Sequence, residues 1–273
     1  MKTRIITATV ALAAFIPVLF FSDTIVFPIV IGLLSAVASY ETVSALGAKD
    51  EKAISIVSAI FCFATPFLAR YAMGGFILTV FAYLFYMLCL CVFLFPRVSA
   101  KQIMASAGSV IFVSAAFFGI VAIHEMYSYD YLLIFICAWM TDTAAIFGGK
   151  LFGKHKLAPN LSPKKTVEGM ISGVVGAVLG FLVFTLVQDL CFDMEVNYLT
   201  RLLIAIPASF VSQVGDLVAS AIKRDCGIKD YGKLFPGHGG VMDRFDSVMF
   251  VSLAALLCMY GQSLITVYKL GVL

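Results

Sequence analysis

The sequence predicts an all-α, polytopic integral membrane protein, and three observations support that prediction. Of the 273 residues, 62% are hydrophobic and 13% are charged, whereas a soluble domain of this size is about half apolar and about a quarter charged. The mean hydropathy is +1.02. The apolar residues fall in long runs, each close to the roughly 20 residues that a helix needs to cross the hydrocarbon core. The spans are expected to be helical, because an isolated strand leaves its backbone unpaired in lipid.

Nine apolar segments are long enough to cross a bilayer. We place them at about 5–22, 24–47, 53–69, 72–95, 102–123, 131–149, 167–188, 199–222 and 246–268. The first segment follows a basic start and has features of a signal peptide. It lacks a small-residue cleavage site, however, and its apolar run is long for such a peptide. We therefore expect it to be retained as the first helix of a single membrane domain, 1–273.

The basic residues predict the orientation. With nine spans, the N-terminus and the loops after spans 2, 4, 6 and 8 share one face, which holds all but three of the 19 lysines and arginines. Arg70, Arg201 and Lys269 lie on the other face. The positive-inside rule makes the basic face cytoplasmic. We therefore expect the N-terminus and both basic loops in the cytoplasm, the C-terminus on the opposite side, and a location in a bacterial inner (cell) membrane.

Carboxylates within the spans are concentrated in the C-terminal half. Spans 1 to 5 carry one such acid, Glu41, while the C-terminal half carries Asp142, Glu168 and Asp216. Acids inside a membrane are costly and usually face a protein interior or a wet cavity. We therefore expect 1–130 to be a scaffold or lipid-facing wall. We expect 131–273 to carry the catalytic helices, a cytoplasm-facing polar site and two basic loops.

The most polar segment, 220–246, combines cations, carboxylates and glycines. Its basic residues are Lys223, Arg224, Lys229, Lys233, His238 and Arg244, and its acids are Asp225, Asp230, Asp243 and Asp246. Three glycines, at 237, 239 and 240, let the backbone approach a ligand closely. This combination suits a metal-bound polyphosphate. Because apolar spans flank the segment, we expect phosphate chemistry at a membrane surface.

Three aspartates form the predicted metal site. Asp243 and Asp246 are three residues apart where span 9 begins, so a helix places them on one face. Together with Asp216 they would bind Mg²⁺, and phosphate oxygens and water would complete its octahedral coordination. Whether the site holds a second cation stays open. Two alternatives stay open. Asp243 and Asp246 would only cap the helix N-terminus, or Asp142 and Asp216 would form a hydrogen-bonded pair between helices.

The loop after span 6 ends in a second candidate for phosphate binding. The run Ser162-Pro-Lys-Lys-Thr-Val-Glu-Gly places a hydroxyl, Lys164 and Lys165 at the start of span 7, where free helix N–H groups attract anions. Glu168 is equally able to cap that helix, and the lysines would alternatively serve only the positive-inside rule. No Ser/His/Asp triad or cysteine nucleophile is evident in the sequence, and phosphoryl transfer requires neither.

Glycines at helical spacing in span 7 indicate packing rather than chemistry. Gly169, Gly173, Gly176 and Gly180 repeat small residues along the span. Small residues let helix backbones approach closely in lipid. The pattern therefore predicts close contact between span 7 and another helix.

The polar segment resembles the signature of the phosphatidate cytidylyltransferases (CDP-diacylglycerol synthases). The matching positions are Ser220, Lys223-Arg224, Lys229-Asp230, His238-Gly-Gly, Asp243-Arg244 and Asp246. The pair Asp142-Thr143 and the segment 162–169 are similar to the same family, and the similarity is specific over about 139–250. The sequence departs from the pattern at Ala144-Ala-Ile-Phe, where we expect an aromatic residue soon after the Asp-Thr pair.

The resemblance implies Mg²⁺-dependent transfer of CMP from CTP to phosphatidate, which gives CDP-diacylglycerol and pyrophosphate. It implies a homodimeric membrane enzyme whose metal-binding acids are Asp216, Asp243 and Asp246. It further implies that other matching residues belong to the catalytic set or contact the substrates: His238, Arg244, Lys164, Lys165, Ser162, Lys223, Arg224, Lys229 and Asp142. Membrane lipid is the expected surrounding, and no nucleic-acid partner is expected.

The residues alone leave two other functions open. A CTP-dependent lipid kinase, such as a polyprenol kinase, would pass the γ-phosphate to an alcohol. A transporter for an anionic solute would use the embedded acids for ion coupling. A transporter predicts inverted halves and polar residues at both faces, whereas the polar groups of this chain lie on one face and in one half.

Overall fold

The computed structural model describes Ala13 and residues 15–269, with side chains as far as residue 261, and its regular structure is almost entirely helical. The helices within these residues are α1 (Val26–Ala45), α2 (Lys52–Tyr71), α3 (Gly75–Phe93), α4 (Ala100–Tyr127), α5 (Leu132–Phe152), α6 (Val167–Phe192), α7 (Tyr198–Asp225) and α8 (Met242–Lys269). A short 3₁₀ helix, Ser128–Tyr131, joins α4 to α5. Residues 15–20 are also helical. The predicted all-α class is confirmed.

The predicted spans coincide with these helices to within four residues at either end, except the first. Half of the first span, 5–22, lies outside the described residues. Five helices, together with the run Ala100–Phe152 that contains α4 and α5, are long and apolar enough to cross a membrane. The chain is therefore an integral membrane protein, as predicted. The count of nine crossings stays a prediction.

Local sequence signals start two of the helices. At α4, the Ser99 hydroxyl accepts a hydrogen bond from Gln102 N at 3.2 Å, and the Gln102 side chain accepts one from Ser99 N at 3.2 Å. This reciprocal pair is a capping box. At α6, the Thr166 hydroxyl accepts from Gly169 N at 3.1 Å. In both places a side chain satisfies a backbone donor that the helix itself leaves unpaired.

The loop between α5 and α6 contains an antiparallel ribbon that the sequence did not predict. Its strands are β1 (Lys156–Ala158) and β2 (Ser162–Thr166), and Lys156 pairs with Thr166 while Ala158 pairs with Ser162. The turn closes where Leu161 N donates to Ala158 O at 3.2 Å. The strands are short, rich in lysine and interrupted by proline, so they lack the apolar alternation that signals a strand.

The helices belong to two compact units. The first comprises the chain up to 128 together with 225–245, and the second comprises 129–224 together with the chain from 246 onward. In the first unit, α1 packs against α2 and α4. Large side chains from these helices are fully buried, among them Phe27, Ile54 and Phe117. In the second unit, α5 packs along α6.

Glycines of α6 allow it to lie close to α5. A Cβ placed on Gly176 would lie 2.3 Å from the Ala144 Cβ and 2.8 Å from the Met140 carbonyl oxygen. A Cβ on Gly169 would lie 2.8 Å from the Ala145 carbonyl oxygen. These distances leave no room for a side chain. The predicted close contact of span 7 with another helix is confirmed, and the partner is α5.

Arg70 and Arg201, which the charge count assigns to the non-cytoplasmic face, each bind an acid of the loop between spans 5 and 6, which the nine-span arrangement places on the same face. In the first unit, Arg70 Nε is 3.5 Å from Glu125 Oε1. In the second unit, Arg201 Nη2 is 2.8 Å from Asp130 Oδ1. Arg201 also donates to the Gln188 side chain, which in turn donates to Asp130 at 3.3 Å. Within each unit, these contacts hold helix ends of one predicted side together.

Candidate active site

Asp216, in α7, is the centre of a polar cluster in the second unit. Its Oδ2 lies 2.5 Å from Lys165 Nζ, and its Oδ1 accepts from the Ser220 hydroxyl at 3.5 Å. The side chains of Lys165 and Asp216 are 25% and 31% exposed, so the ion pair is partly open to solvent. The structure thus brings two of the predicted site residues into direct contact.

Asp246, one helical turn after the start of α8, belongs to the same cluster. It is only 8% exposed, and it accepts a hydrogen bond from Ser247 N at 2.7 Å. Asp216, Asp142 and Lys223 all act on it electrostatically. A buried carboxylate close to other carboxylates is costly unless cations compensate the charge. Lys165 and Lys223 supply positive charge to this cluster.

The ribbon decides which lysine reaches Asp216. Side chains alternate across a strand, and on β2 Lys164 is exposed whereas Lys165 is half-buried. Thr166, the last residue of β2, is buried and caps α6. Because the cap fixes the end of the strand to the helix, it also fixes the position of Lys165. Ser162 lies at the other end of β2 and is half-buried.

Glu168 organises the loop that precedes the ribbon. Its Oε2 accepts from Lys154 N at 3.1 Å and from His155 N at 3.2 Å, and its Oε1 lies 2.6 Å from His155 Nδ1. Val167 N donates to His155 O at 2.9 Å. The α6 cap itself comes from Thr166. Glu168 therefore holds the basic loop against the helix start.

Polar side chains that the sequence analysis missed join the helices around the cluster. The hydroxyls of Thr141, in α5, and Ser209, in α7, are 2.9 Å apart. Gln213 Nε2 donates to Ser209 Oγ at 3.4 Å and to Met170 O, in α6, at 3.3 Å. These bonds set the spacing of α5, which carries Asp142, α7, which carries Asp216, and α6, which directly follows the strand of Lys165. Hydroxyl and amide side chains inside apolar spans are the sequence signal that would have found them.

Three further cations predicted to bind the substrates differ in exposure. Lys223 is half-buried and acts on Asp246, whereas Arg224 is exposed at the end of α7. Lys229, in the first unit, is also exposed. Of these three predicted substrate-binding residues, Lys223 is the one that the structure places in the aspartate cluster.

In the first unit, Asp243 ties a glycine-rich loop to the start of α8. Its Oδ2 accepts from Tyr231 N at 2.8 Å and from Gly240 N at 3.0 Å, and its side chain is 8% exposed. The loop turns through Gly237 and Gly239, with φ of +78° and +85°. Glycine adopts these angles without strain. The Asp243 carboxylate thus holds the loop in place by accepting hydrogen bonds from two backbone N–H groups of the loop.

His238 and Arg244 lie in the same loop and helix start. Arg244 is exposed, and its Nε donates to the His238 carbonyl oxygen at 2.8 Å. The His238 Nδ1 atom is buried and has no hydrogen-bond partner within the described residues. A buried polar atom without a partner is unfavourable. The His238 ring therefore suits an additional ligand, such as a phosphate oxygen.

Glu41, in α1, is a further residue whose role the sequence analysis missed. Its Oε1 accepts from Val241 N at 3.1 Å and its Oε2 accepts from Met242 N at 2.9 Å. The start of α8 is therefore capped by a carboxylate from a distant helix. The helix of Glu41 lies in 1–130, which the sequence predicts to be a scaffold or lipid-facing wall. The sequence signal was available, because Glu41 is the one acid within the first five predicted spans.

A magnesium ion fits the aspartate cluster if the substrate supplies part of its coordination. Within the described residues, no three Asp, Glu, His or Cys side chains gather closely enough to hold a metal by themselves. Magnesium is usually held by one or two carboxylates with phosphate oxygens and water, and Asp216 and Asp246 supply that number. Asp243 as a third ligand stays a prediction, since its Oδ2 already accepts two backbone hydrogen bonds.

Comparisons with known proteins agree with this chemistry. A model of the cytidylyltransferase family matches residues 2–261. A protein of Staphylococcus aureus (strain COL) named phosphatidate cytidylyltransferase is 33% identical over 92% of this chain and 96% of its own. Proteins of the same name from Bacillus subtilis (strain 168) and Staphylococcus epidermidis (strain ATCC 12228) are 40% and 45% identical. In those two alignments this chain spans about half of the relative, 52% and 45%.

Proposed function

We propose that this chain, which belongs to the cytidylyltransferase family, transfers the CMP group of CTP to phosphatidate. The products would be CDP-diacylglycerol and pyrophosphate. The observation that carries the proposal is the partly open ion pair of Lys165 and Asp216 beside the buried Asp246. Cations and carboxylates in one cluster of a membrane protein suit a polyphosphate substrate and a lipid acceptor. The names of the relatives support the choice of CTP and phosphatidate.

The proposed reaction needs no nucleophile from the protein. A phosphate oxygen of phosphatidate attacks the α-phosphorus of CTP, and the bond from that phosphorus to the β-phosphate bridging oxygen breaks. Pyrophosphate carries the electron pair away. Because the lipid phosphate is already an anionic oxygen nucleophile, the protein has to position the two substrates and balance their charge.

Residues of the second unit are suited to that task. Lys165 is held at the end of β2 and is partly exposed, so it would hold phosphate oxygens in the ground state. Lys223 would add positive charge beside Asp246. A divalent cation held by Asp216 and Asp246 would neutralise charge on the polyphosphate. Asp142 adds negative charge to the cluster and so strengthens its preference for a cation.

The roles of the remaining predicted residues belong to the same proposal. His238 would donate a hydrogen bond from its ring to a substrate oxygen. Arg244 would balance charge on the transferring group. Ser162, Lys164, Arg224 and Lys229 would contact substrate phosphates, as the family resemblance implies.

We further propose that the site faces the cytoplasm of a bacterial cell, at the inner membrane. The concentration of lysine and arginine on one predicted face supports this orientation. The bacterial origin of the relatives supports the host membrane. A homodimer stays a prediction from the family resemblance.

The proposal is tested with purified protein in detergent, phosphatidate and CTP. We expect CDP-diacylglycerol and pyrophosphate to form with Mg²⁺ and not in EDTA, with activity restored by excess Mg²⁺. Diacylglycerol, which lacks the attacking phosphate, is the matched control and should give no cytidine-containing lipid. Full activity in EDTA would contradict the metal role, and no CDP-diacylglycerol under any condition would contradict the function.

A further inference from the structure

We propose that Glu41 is a positioning residue for this reaction, because its carboxylate fixes the first turn of α8, which carries Asp243 and Arg244. The inference rests on the proposed function. Glu41 belongs to the N-terminal helices, which the sequence predicts to be a scaffold, and here it acts on residues of the candidate active site.

The contact is a two-point cap made from another helix. The two carboxylate oxygens of Glu41 accept one hydrogen bond each, from Val241 N at 3.1 Å and from Met242 N at 2.9 Å. The first N–H groups of a helix have no partner within the helix, and a carboxylate also interacts favourably with the positive end of the helix dipole. Two bonds to consecutive N–H groups fix both the height and the rotation of the α8 start.

The loop before α8 is shaped around the Glu41 carboxylate. A Cβ on Gly232 would lie 2.1 Å from Glu41 Oε1, and a Cβ on Gly240 would lie 2.2 Å from the same oxygen. Both positions must therefore lack a side chain as long as the carboxylate is in place. The loop passes against Glu41 at two separate points, eight residues apart in the sequence.

A second carboxylate completes the arrangement. Asp243 Oδ2 accepts hydrogen bonds from Tyr231 N and Gly240 N, so a residue of α8 itself binds the loop. Glu41 holds the start of α8 from a different helix, α1. Arg244 adds a bond to the His238 carbonyl oxygen. Moving the α8 start would therefore displace Asp243, Arg244 and the loop that carries His238 together.

The geometry favours positioning over a direct catalytic role. Each Glu41 oxygen already accepts a backbone hydrogen bond, and the residue is only 6% exposed. A buried carboxylate is costly unless it is hydrogen-bonded. Packing alone would be served better by an apolar side chain. Unlike an apolar side chain, the carboxylate accepts two hydrogen bonds that fix the position of the helix start.

The test is Glu41→Gln, which keeps the size of the side chain. The amide oxygen still accepts one N–H, but the NH₂ group faces the second N–H and cannot accept from it. We expect kcat to fall on the order of 10- to 100-fold, as for a small misplacement of reacting groups. The KM values should stay within about threefold, since ground-state binding by Lys165 is not altered. Thr42→Val is the matched control, because Thr42 is buried beside Glu41 and donates only to Ala38 O in its own helix.

Hydrogen exchange gives a readout that does not depend on activity. In Glu41→Gln, peptides covering 231–245 should exchange faster than in the wild type, and peptides from α5 and α6 should not change. Unchanged exchange in 231–245 would overturn the inference, whatever the activity. A wild type that makes no CDP-diacylglycerol would refute the proposed function and leave this exchange test standing.

A double-mutant cycle keeps the inference falsifiable if Glu41→Gln folds poorly. Gly240→Ala should lower kcat strongly, because the new methyl group meets the carboxylate. In a Glu41→Ala background, where the carboxylate is gone, the same change should cost less. Equal losses in both backgrounds would mean that Gly240 and Glu41 do not interact, and this result would also overturn the inference.

Discussion

At the scale of single residues, the ion pair of Lys165 and Asp216 places one positive and one negative charge in the candidate site. The two side chains are 2.5 Å apart and partly exposed. The neighbouring Lys164 has the same charge and lies on the same strand, but it is exposed. One step along a strand thus separates a residue of the cluster from a residue of the surface.

This difference predicts unequal effects of the two lysines. Lys165→Ala should raise the KM for CTP or phosphatidate more than it lowers kcat, because the lysine would hold a phosphate already present in the ground state. Lys164→Ala is the matched control and should have a smaller effect. Steady-state kinetics with both substrates measures this. If Lys165→Ala leaves both constants unchanged, the lysine only orients the chain, and the nucleotide site lies elsewhere.

Asp216 should be essential for turnover rather than for folding. We expect Asp216→Asn to lower kcat by about 100-fold or more, as for other losses of transition-state charge stabilisation. The variant should remain monodisperse in detergent, since asparagine keeps the shape of the side chain. Asp193→Asn is the control: Asp193 is exposed and has φ of +51°, a conformation that asparagine tolerates. Wild-type rates in Asp216→Asn would remove Asp216 from the site.

Asp216 could be identified from the sequence because charged residues are rare within apolar spans. Lys165 could be identified because it belongs to a cluster of cations at the start of such a span. It did not identify the role of Glu41. The N–H groups that Glu41 binds are 200 and 201 residues away, and backbone donors leave no trace in residue types. Asp243 was predicted as a metal ligand from its spacing to Asp246. Its bonds to Tyr231 N and Gly240 N depend on a loop path that spacing does not determine.

At the scale of elements, the close contact of α5 and α6 supports the geometry around Asp142 and Lys165. The glycine spacing in the sequence was sufficient to predict this contact, because close helix approach requires small residues at helical intervals. It was not sufficient to predict the ribbon of β1 and β2. That ribbon is held by backbone pairing across a turn, and its proline and lysine residues carry no strand pattern.

The contact predicts that Gly176→Ala destabilises the protein. The added methyl group would meet Ala144 Cβ at 2.3 Å and Met140 O at 2.8 Å, and overpacking of this kind costs about 1–3 kcal/mol. Gly108→Ala is the control, because a Cβ there meets nothing within 4 Å and alanine favours a helix over glycine. Thermal unfolding in detergent should show a lower Tm for Gly176→Ala and an equal or higher one for Gly108→Ala. Equal values for both would mean that the helices are not in close contact.

At the scale of the whole molecule, the distribution of charge predicts which ends of the helices face the cytoplasm. The lengths of the apolar runs made the helices predictable to within a few residues, because lipid leaves the backbone few alternatives. The ion pairs Arg70–Glu125 and Arg201–Asp130 join residues that the nine-span assignment places on one side. Residue types alone could not show these pairs.

Labelling of single cysteines tests the orientation. Cysteines at positions 154 and 233 should react with an impermeant reagent from the cytoplasmic face only, and a cysteine at position 193 from the other face only. The native residues, Lys154, Lys233 and Asp193, are all exposed. The background should carry serine in place of the exposed thiols Cys191 and Cys258, and the same background without a new cysteine is the control. Reaction of all three from one side is incompatible with nine spans.

The fate of the CTP phosphates tests the central claim most directly. The purified protein is incubated with phosphatidate, or with a polyprenol, and CTP labelled at either the α- or the γ-phosphate. A phosphatidate cytidylyltransferase incorporates the α-label into lipid and releases the γ-label as pyrophosphate, and this is the result we expect with phosphatidate. Transfer of the γ-label to the alcohol would instead identify a lipid kinase. No label in any lipid, in the presence of Mg²⁺, would contradict both enzymatic functions and leave the anion transporter as the remaining alternative.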